Sequence, residues 1–146
     1  MSHDESSLLR GLICFNFYRG WRGISEYYRH YLPENVSAQQ SYVLELCDEH
    51  VGLGVGEVAA ALEIELPAIS ALLRRMEASG LVRRAVPQEN RRRTLVFLTP
   101  NGVLMREKVR TVMHEADQAL GRFISEKDVA QLVRIVDKVR KAVAGR

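Results

Sequence analysis

Apolar residues recur at three- and four-residue steps over four long stretches of the chain, and this spacing predicts amphipathic helices. The ends of these stretches carry residues that stop or start helices. Pro33 ends the first stretch, and Ser37 is a good N-cap for the second. Ser125 opens the last stretch, with Asp128 in a capping-box position. The predicted helices cover residues 8–31, 37–49, 100–124 and 125 onward. The outer helices have little to pack on except each other and a second copy of the chain.

Shorter elements are predicted in the middle of the chain. A helix over 57–62 and a helix over 67–79 are separated by a turn at 63–65, which is the arrangement of a helix-turn-helix. Gly80 is placed to stop the second helix, and the alternate glycines over 52–56 favour a loose connector before the first. The pair has an apolar inner face, formed by Val58, Ala59, Leu62, Ile64, Ile69, Leu72, Leu73 and Met76.

Two segments of β-type composition, 81–86 and 94–99, flank the polar loop PQENRRR and predict a hairpin. The expected fold is therefore mainly α with a small β wing: a winged helix-turn-helix lobe in residues 37–102, flanked by long helices in residues 1–36 and 103–146. On the pattern alone, the apolar faces of the flanking helices can form a core within one chain or pack against a second copy.

Positive charge is concentrated in the predicted lobe. The net charge of the chain is only +3, but seven arginines and two acids lie between residues 74 and 93. A basic patch of this kind is typical of a phosphate-binding face, although a solvated surface has the same composition. The outward side of the second helix and the hairpin tip supply the candidate contacts to double-stranded DNA: Ser70, Ala71, Arg74, Arg75, Arg91, Arg92 and Arg93.

The character of these side chains indicates how DNA would be read. Arginine forks can bind guanine edges or phosphates, and arginines at a β-tip can enter a narrow minor groove. Pro67 and the alanines on the outward face donate no side-chain hydrogen bonds, which favours shape and phosphate readout over direct base reading. A sequence-independent architectural DNA-binding protein is therefore an alternative to a regulator.

Other chemistries have little support in the sequence. Cys14 and Cys47 do not make a disulfide framework and the four histidines are scattered, so we expect no metal site and no cofactor. A Gly-rich phosphate loop and a nucleophile motif are both absent, which argues against an enzyme. Without a signal segment or a sufficiently long apolar run, the expected location is the cytoplasm, away from membranes.

The segment SGLVRR…ENRRRTLVFLTPNG resembles the wing of the MarR family of bacterial regulators. That family has an Asp-x-Arg tip, an apolar strand and a Leu-Thr-x-x-Gly helix start, and the matching residues here are Asn90, Arg92, Val96, Leu98, Thr99 and Gly102. Asn90 stands where the family has Asp, whose charge would lock the tip arginines, so the rigidity of the wing is an open point. The resemblance covers nearly the whole chain and implies a homodimeric repressor on a palindromic operator. It also implies that residues 37–102 form a DNA-binding lobe flanked by N- and C-terminal dimerisation helices, with residues 1–36 and 103–146 as the helical dimerisation region of one intertwined unit.

The first predicted helix is similar to that of the organic-hydroperoxide and thiol-sensing branch of the family. The similarity lies in Cys14 within LICFNFY, with Tyr18 four residues later and Tyr28 further along the same face. It implies release of DNA when Cys14 is oxidised. Nearby hydroxyl donors favour the thiolate form of a cysteine, and the thiolate is the form that peroxide attacks. Ala38 stands where the branch often has a third tyrosine, and Cys47 is not placed as a resolving cysteine. An inert core cysteine remains the other interpretation of Cys14.

A small aromatic effector is the competing hypothesis for control. Tyr18, Trp21, Tyr28 and Tyr42 are expected near the junction between the terminal helices and the DNA-binding lobe. Many MarR-type proteins resemble sensors of phenolic acids in this region. Aromatic residues at helical spacing are also common in plain cores, so the sequence leaves three alternatives open: oxidation, a ligand, or no effector.

Overall fold

The computed structural model describes residues 8–146. Six helices and three short strands follow one another along these residues. They are α1 (Ile13–Arg29), α2 (Ala38–Leu46), β1 (Leu53–Gly54), α3 (Val55–Leu62), α4 (Leu66–Ala78), β2 (Val82–Ala85), β3 (Leu95–Leu98), α5 (Pro100–Leu120) and α6 (Glu126–Ala144). A mostly helical chain with a helix-turn-helix and an antiparallel wing confirms the predicted fold class.

The first predicted helix is wrong in its length. Residues 8–31 were expected to form one unbroken helix, but the chain leaves helical geometry at Gly11 and Leu12 before α1 begins. The Asn16 amide donates to the backbone carbonyls of Arg10 and Leu12, at 2.7 and 2.8 Å. One side chain thus satisfies acceptors left by the interruption, which explains why the break is tolerated.

Two further helices end earlier than predicted. The second ends at Leu46 rather than near residue 49, because the Asp48 carboxylate accepts hydrogen bonds from the backbone N–H groups of His50 and Val51 and closes a turn instead. The long helix α5 ends at Leu120, before Gly121, rather than near residue 124. The expected N-caps are confirmed: Ser37 and Ser125 each form a capping box.

The glycine-rich connector predicted over 52–56 is also wrong. Leu53 and Gly54 form a third strand that pairs antiparallel with Val96 and Leu95, giving the sheet order β1-β3-β2. A side chain at Gly52 would meet the Phe97 ring at 2.7 Å. The glycines therefore allow the strand to approach the wing closely rather than loosen the chain.

The helix-turn-helix is formed as predicted. Glu63 adopts a left-handed conformation, with φ 54°, and ends α3. Pro67 lies in the first turn of α4, where its missing N–H costs nothing. Gly80 has φ +75°, a conformation that glycine adopts without strain, and it turns the chain from α4 into β2.

The hydrophobic core lies inside the predicted lobe and at the start of α5. The inner face of the helix pair is buried at Val58, Ala59, Ile69, Leu72, Leu73 and Met76, while Leu62 and Ile64 are half-buried against it. Residues from α2, the sheet and α5 complete this core: Val43, Leu44, Cys47, Leu81, Val82, Val96, Leu98 and Val109. Within residues 8–146, neither α1 nor α6 has a fully buried side chain.

The junction between the wing and α5 is the tightest glycine contact in the fold. A Cβ atom on Gly102 would lie 2.0 Å from the backbone oxygen of Leu81, whereas a Cβ on Gly56 would meet nothing within 4 Å. We expect Gly102→Ala to lower the free energy of unfolding by about 1–3 kcal/mol, because backbone must move to admit the methyl group. Urea unfolding at one fixed protein concentration measures this change.

Gly56→Ala is the matched control for this substitution. Gly56 lies in the first turn of α3 in open space, so alanine should leave stability unchanged or raise it by less than about 1 kcal/mol. Equal stability of the two variants would contradict the tight junction.

Candidate nucleic-acid interface and sensor region

The outward side of α4 carries the helical part of the candidate interface. Arg74 and Arg75 are exposed, while Ser70 and Ala71 are half-buried nearer the start of the helix. Leu66, at the first position, is also exposed. The accessible face of this helix is therefore apolar at its N-terminal end and cationic toward its C-terminal end.

The wing tip is ordered by an amide rather than by a carboxylate. The backbone N–H of Arg92 donates to Asn90 Oδ1 at 3.2 Å, and the backbone N–H of Arg93 donates to the Asn90 carbonyl at 3.2 Å. These bonds form an Asx-type turn, which asparagine supports as well as aspartate does. Replacement of the family's Asp by Asn90 thus removes a charge from the tip and keeps the turn.

The arginines of the basic segment divide into two groups. Among residues 8–146, the exposed side chains of Arg74, Arg75, Arg91 and Arg92 make no hydrogen bond and no ion pair. Three others are engaged within the lobe: Arg93 pairs with Glu57 of α3, Arg84 pairs with Glu77 of α4 at 3.2 Å, and Arg83 stacks on the Phe97 ring at 4.1 Å. The hydrogen bond from Arg84 also lowers the pKa of the Glu77 carboxyl group.

The Glu57–Arg93 pair fastens the wing to the helix-turn-helix. A side chain at Gly54 would lie 2.8 Å from Glu57 Oε1 and 3.3 Å from Arg93 Nε, so the glycine leaves room for the pair. Arg93 is among the DNA contacts predicted from the sequence, whereas its partner Glu57 is not among the predicted site residues. The two residues are 36 positions apart in the chain, and no local pattern connects them.

A groove separates the start of α4 from the wing. Its volume is about 470 Å³, and Ser70, Arg84, Arg92 and Arg93 are among the residues that line it. The fold therefore brings candidates from the helix and from the wing to one side of the lobe. Such a surface can lay a helix in a DNA groove and place arginines against the flanking phosphates.

The sensor candidates do not form one cluster. Cys14 is exposed near the start of α1, and the Tyr18 hydroxyl accepts a hydrogen bond from Arg22 at 3.4 Å. Tyr28 is fourteen residues beyond Cys14, which is about 21 Å along a helix axis, and its hydroxyl donates to Asp117 of α5. The fold of one chain therefore does not bring Tyr28 to Cys14.

Cys47 has the opposite surroundings to Cys14. It is buried where α2 ends, and burial raises the pKa of its thiol to about 11. At neutral pH this group is a protonated thiol, which is a poor nucleophile.

Three of the sensor candidates line one pocket between α1, α2 and α5, which we call the aromatic pocket. Trp21, Tyr28 and Tyr42 provide its aromatic surface, and its volume is about 250 Å³. Ser25, Ser41 and Asp117 are its other polar residues. Burial, followed by the hydrogen bond to Asp117, raises the pKa of Tyr28, so the phenol stays protonated. Asp117 was not predicted, because on its own helix it is one exposed acid among several.

The described residues offer little else that points to chemistry. No group of three metal-ligating side chains occurs among residues 8–146, and His3 lies outside them. No helix in this part of the chain is long and apolar enough to cross a membrane.

Comparison with known proteins places this geometry among transcriptional regulators. A family model described as MarR family matches residues 34–93. The organic hydroperoxide resistance transcriptional regulator of Bacillus subtilis is 32% identical over 101 residues, which cover 68% of this chain and 69% of that protein. The regulator TtmR of Methylorubrum extorquens is 30% identical over 125 residues; the match spans 85% of this chain but only 64% of TtmR.

Solved structures show the same fold at lower identity. The PcaV regulator of Streptomyces coelicolor, in complex with its natural ligand, superposes with a TM-score of 0.85 at 17% identity, covering 92% of this chain and 96% of PcaV. The MepR–DNA complex of S. aureus gives a TM-score of 0.78 at 23% identity, covering 90% of this chain and 98% of MepR.

Proposed function

The chain belongs to the MarR family of DNA-binding transcriptional regulators, and we propose that it is a homodimeric repressor of a palindromic operator, acting in the cytoplasm and released by oxidation of Cys14. The observation that carries the DNA-binding part is a group of four exposed arginines on one lobe that have no hydrogen-bond or ion-pair partner among residues 8–146. Arg74 and Arg75 extend from α4 toward a major groove, and Arg91 and Arg92 extend from the wing toward the adjacent minor groove.

Dimerisation accounts for the exposed apolar surface of the outer helices. Phe123 is 83% exposed, Ile13 is 72% exposed, and Leu132 is 57% exposed. Large exposed apolar surface is typical of protein–protein interfaces, and a second copy of the same region would cover these side chains. We assign residues 1–36 and 103–146 to this dimerisation region and residues 37–102 to the DNA-binding lobe.

Redox control is supported by the position of Cys14 and by the relative from Bacillus subtilis. That relative is named for organic hydroperoxide resistance, and Cys14 is exposed on the same helix as the uncovered Ile13 and Phe17. A hydroperoxide oxidises the Cys14 thiolate to a sulfenic acid and is itself reduced to the alcohol. A new polar group at the protomer contact would then alter the spacing of the two lobes.

The aromatic pocket supports a second candidate mode of control. It lies where α1 meets α2 and α5, so a bound molecule would change the position of the dimerisation helix relative to the lobe. PcaV was solved with a natural ligand. A small-molecule effector is therefore the alternative to oxidation.

Selection of bound duplexes from a random pool tests the function as a whole. We expect a palindromic consensus with half-sites about one helical turn apart, because a two-fold dimer presents two recognition helices. The operator should be preferred over random DNA by about 10³-fold or more at fixed salt. A single half-site would contradict the dimer, and one affinity for all duplexes would identify an architectural DNA-binding protein.

The two groups of arginines predict different salt dependences of operator binding. Arg92→Ala should weaken binding and lower the slope of log K against log salt by about one, because one phosphate contact is lost. Arg93→Ala should weaken binding with little change of slope, since Glu57 already neutralises Arg93. Filter or fluorescence binding at several salt concentrations gives both slopes, and an equal fall in both would show that Arg93 contacts phosphate directly.

Cysteine variants test the redox part of the proposal. Treatment with an organic hydroperoxide should abolish operator binding by the natural protein and by Cys47→Ser, whose thiol is buried and protonated. Cys14→Ser should keep its affinity under the same treatment. Loss of binding in Cys14→Ser, or retained binding in the natural protein, would remove Cys14 as the sensor.

A further inference from the structure

The aromatic pocket contains charge of only one sign. Among the described residues that line it, Asp117 is the one charged side chain, and arginine, lysine and histidine are absent from its walls. The carboxylate stands at the exposed rim, where Tyr28 donates a hydrogen bond to Oδ1. A carboxylate has further lone pairs, so it can accept from a second donor while it holds Tyr28.

No cationic side chain of α1 or α5 lines the pocket, and three arginines of these helices are bound by other partners. Arg22 of α1 donates to the Tyr18 hydroxyl, on the side toward the start of that helix. Arg110 of α5 pairs with Glu45 at 2.8 Å and with Glu107 at 3.1 Å. Arg106 donates to the carbonyl of Cys47. None of these three guanidinium groups is available to neutralise an anion in the pocket without first losing a partner.

The aromatic walls favour the same charge as Asp117 does. Trp21, Tyr28 and Tyr42 line the pocket, and the face of an aromatic ring carries the negative side of its quadrupole, which attracts ammonium groups. An anionic ligand would place its carboxylate against Asp117 and these rings, with no cation in the lining to compensate. The phenol of Tyr28 cannot take that role, because it already donates to Asp117.

We infer that the aromatic pocket binds a compact cationic amine with an aromatic or apolar body, whose ammonium group donates to Asp117 and lies over the ring faces. The volume of about 250 Å³ suits a single ring with a short side chain. This inference deepens the second candidate mode of control and depends on the proposed regulatory function only for its effect on DNA.

A set of three probes on one skeleton tests the charge preference: 2-phenylethylamine, 2-phenylethanol and phenylacetate. Trp21 is the sole tryptophan of the chain, so its fluorescence reports binding in the pocket directly, and titration calorimetry gives an independent affinity. We expect the amine to bind at least about tenfold more tightly than phenylacetate, with the alcohol between them. Equal or tighter binding of phenylacetate, or no binding of the amine, would overturn the inference.

Substitutions at the rim identify the group responsible. Asp117→Asn keeps the size of the side chain and removes its charge, so the preference for the amine should collapse. Glu115→Gln removes an exposed acid two residues away on α5 and should leave the preference intact. Tyr28→Phe, which frees the carboxylate, should retain amine binding. An unchanged preference in Asp117→Asn would assign the selectivity elsewhere and overturn the inference.

Operator binding measured with and without 2-phenylethylamine separates this inference from the proposed function. Amine binding that leaves operator affinity unchanged would contradict ligand control and leave the ligand class established. Failure to bind any operator would contradict the regulatory function, and the fluorescence titration would still decide the charge preference.

Discussion

The junction at which the chain leaves the sheet and enters α5 sets the geometry of the whole molecule. Thr99 caps α5 by accepting from the Gly102 N–H, its hydroxyl donates to the Gly80 carbonyl, and its own N–H donates to Leu81 at 3.1 Å. Gly102 lies against the same Leu81 carbonyl without room for a methyl group. A change in the direction of α5 would therefore move the proposed DNA-binding surface with it.

A second contact joins the outer helices to the lobe. At the far end of α6, Arg140 Nε donates to Glu63 at 2.8 Å, and Glu63 is the residue that ends α3. The turn of the helix-turn-helix is thus in contact with the last helix of the chain as well as with its own core. This ion pair is exposed, and exposed pairs contribute little to stability. Its importance is geometric, because it links the C-terminal helix to the element that positions α4.

The sequence could predict those parts of this arrangement that depend on local patterns. Helical spacing, the caps at Ser37 and Ser125 and the glycine at 80 carry their own signals, and they identified the helix-turn-helix and its hairpin. The strand Leu53–Gly54 was missed because two residues, one of them a glycine, show no periodicity, and because the pairing of this strand with β3 is a tertiary contact. The same limit applies to side-chain partners: Glu57 meets Arg93 across 36 residues and Tyr28 meets Asp117 across 89. Both contacts changed the interpretation of the site, one by engaging an arginine and the other by giving the aromatic pocket a charge.

The two proposed modes of control act on different halves of α1. Its C-terminal half is held to α5, since Tyr27 donates to the carbonyl of Ala116 at 2.8 Å and Tyr28 donates to Asp117. Its N-terminal half, with Cys14 and the exposed Phe17, has no comparable hydrogen bond within residues 8–146, and in the proposed dimer its position would be set by the partner. Oxidation would therefore alter how two protomers meet, whereas a ligand at Trp21, about 10 Å further along the axis, would alter how one protomer holds its own helix. If both changes reach DNA through the α5 junction, the two modes of control would be coupled, and oxidation of Cys14 would change the affinity of the aromatic pocket for its ligand.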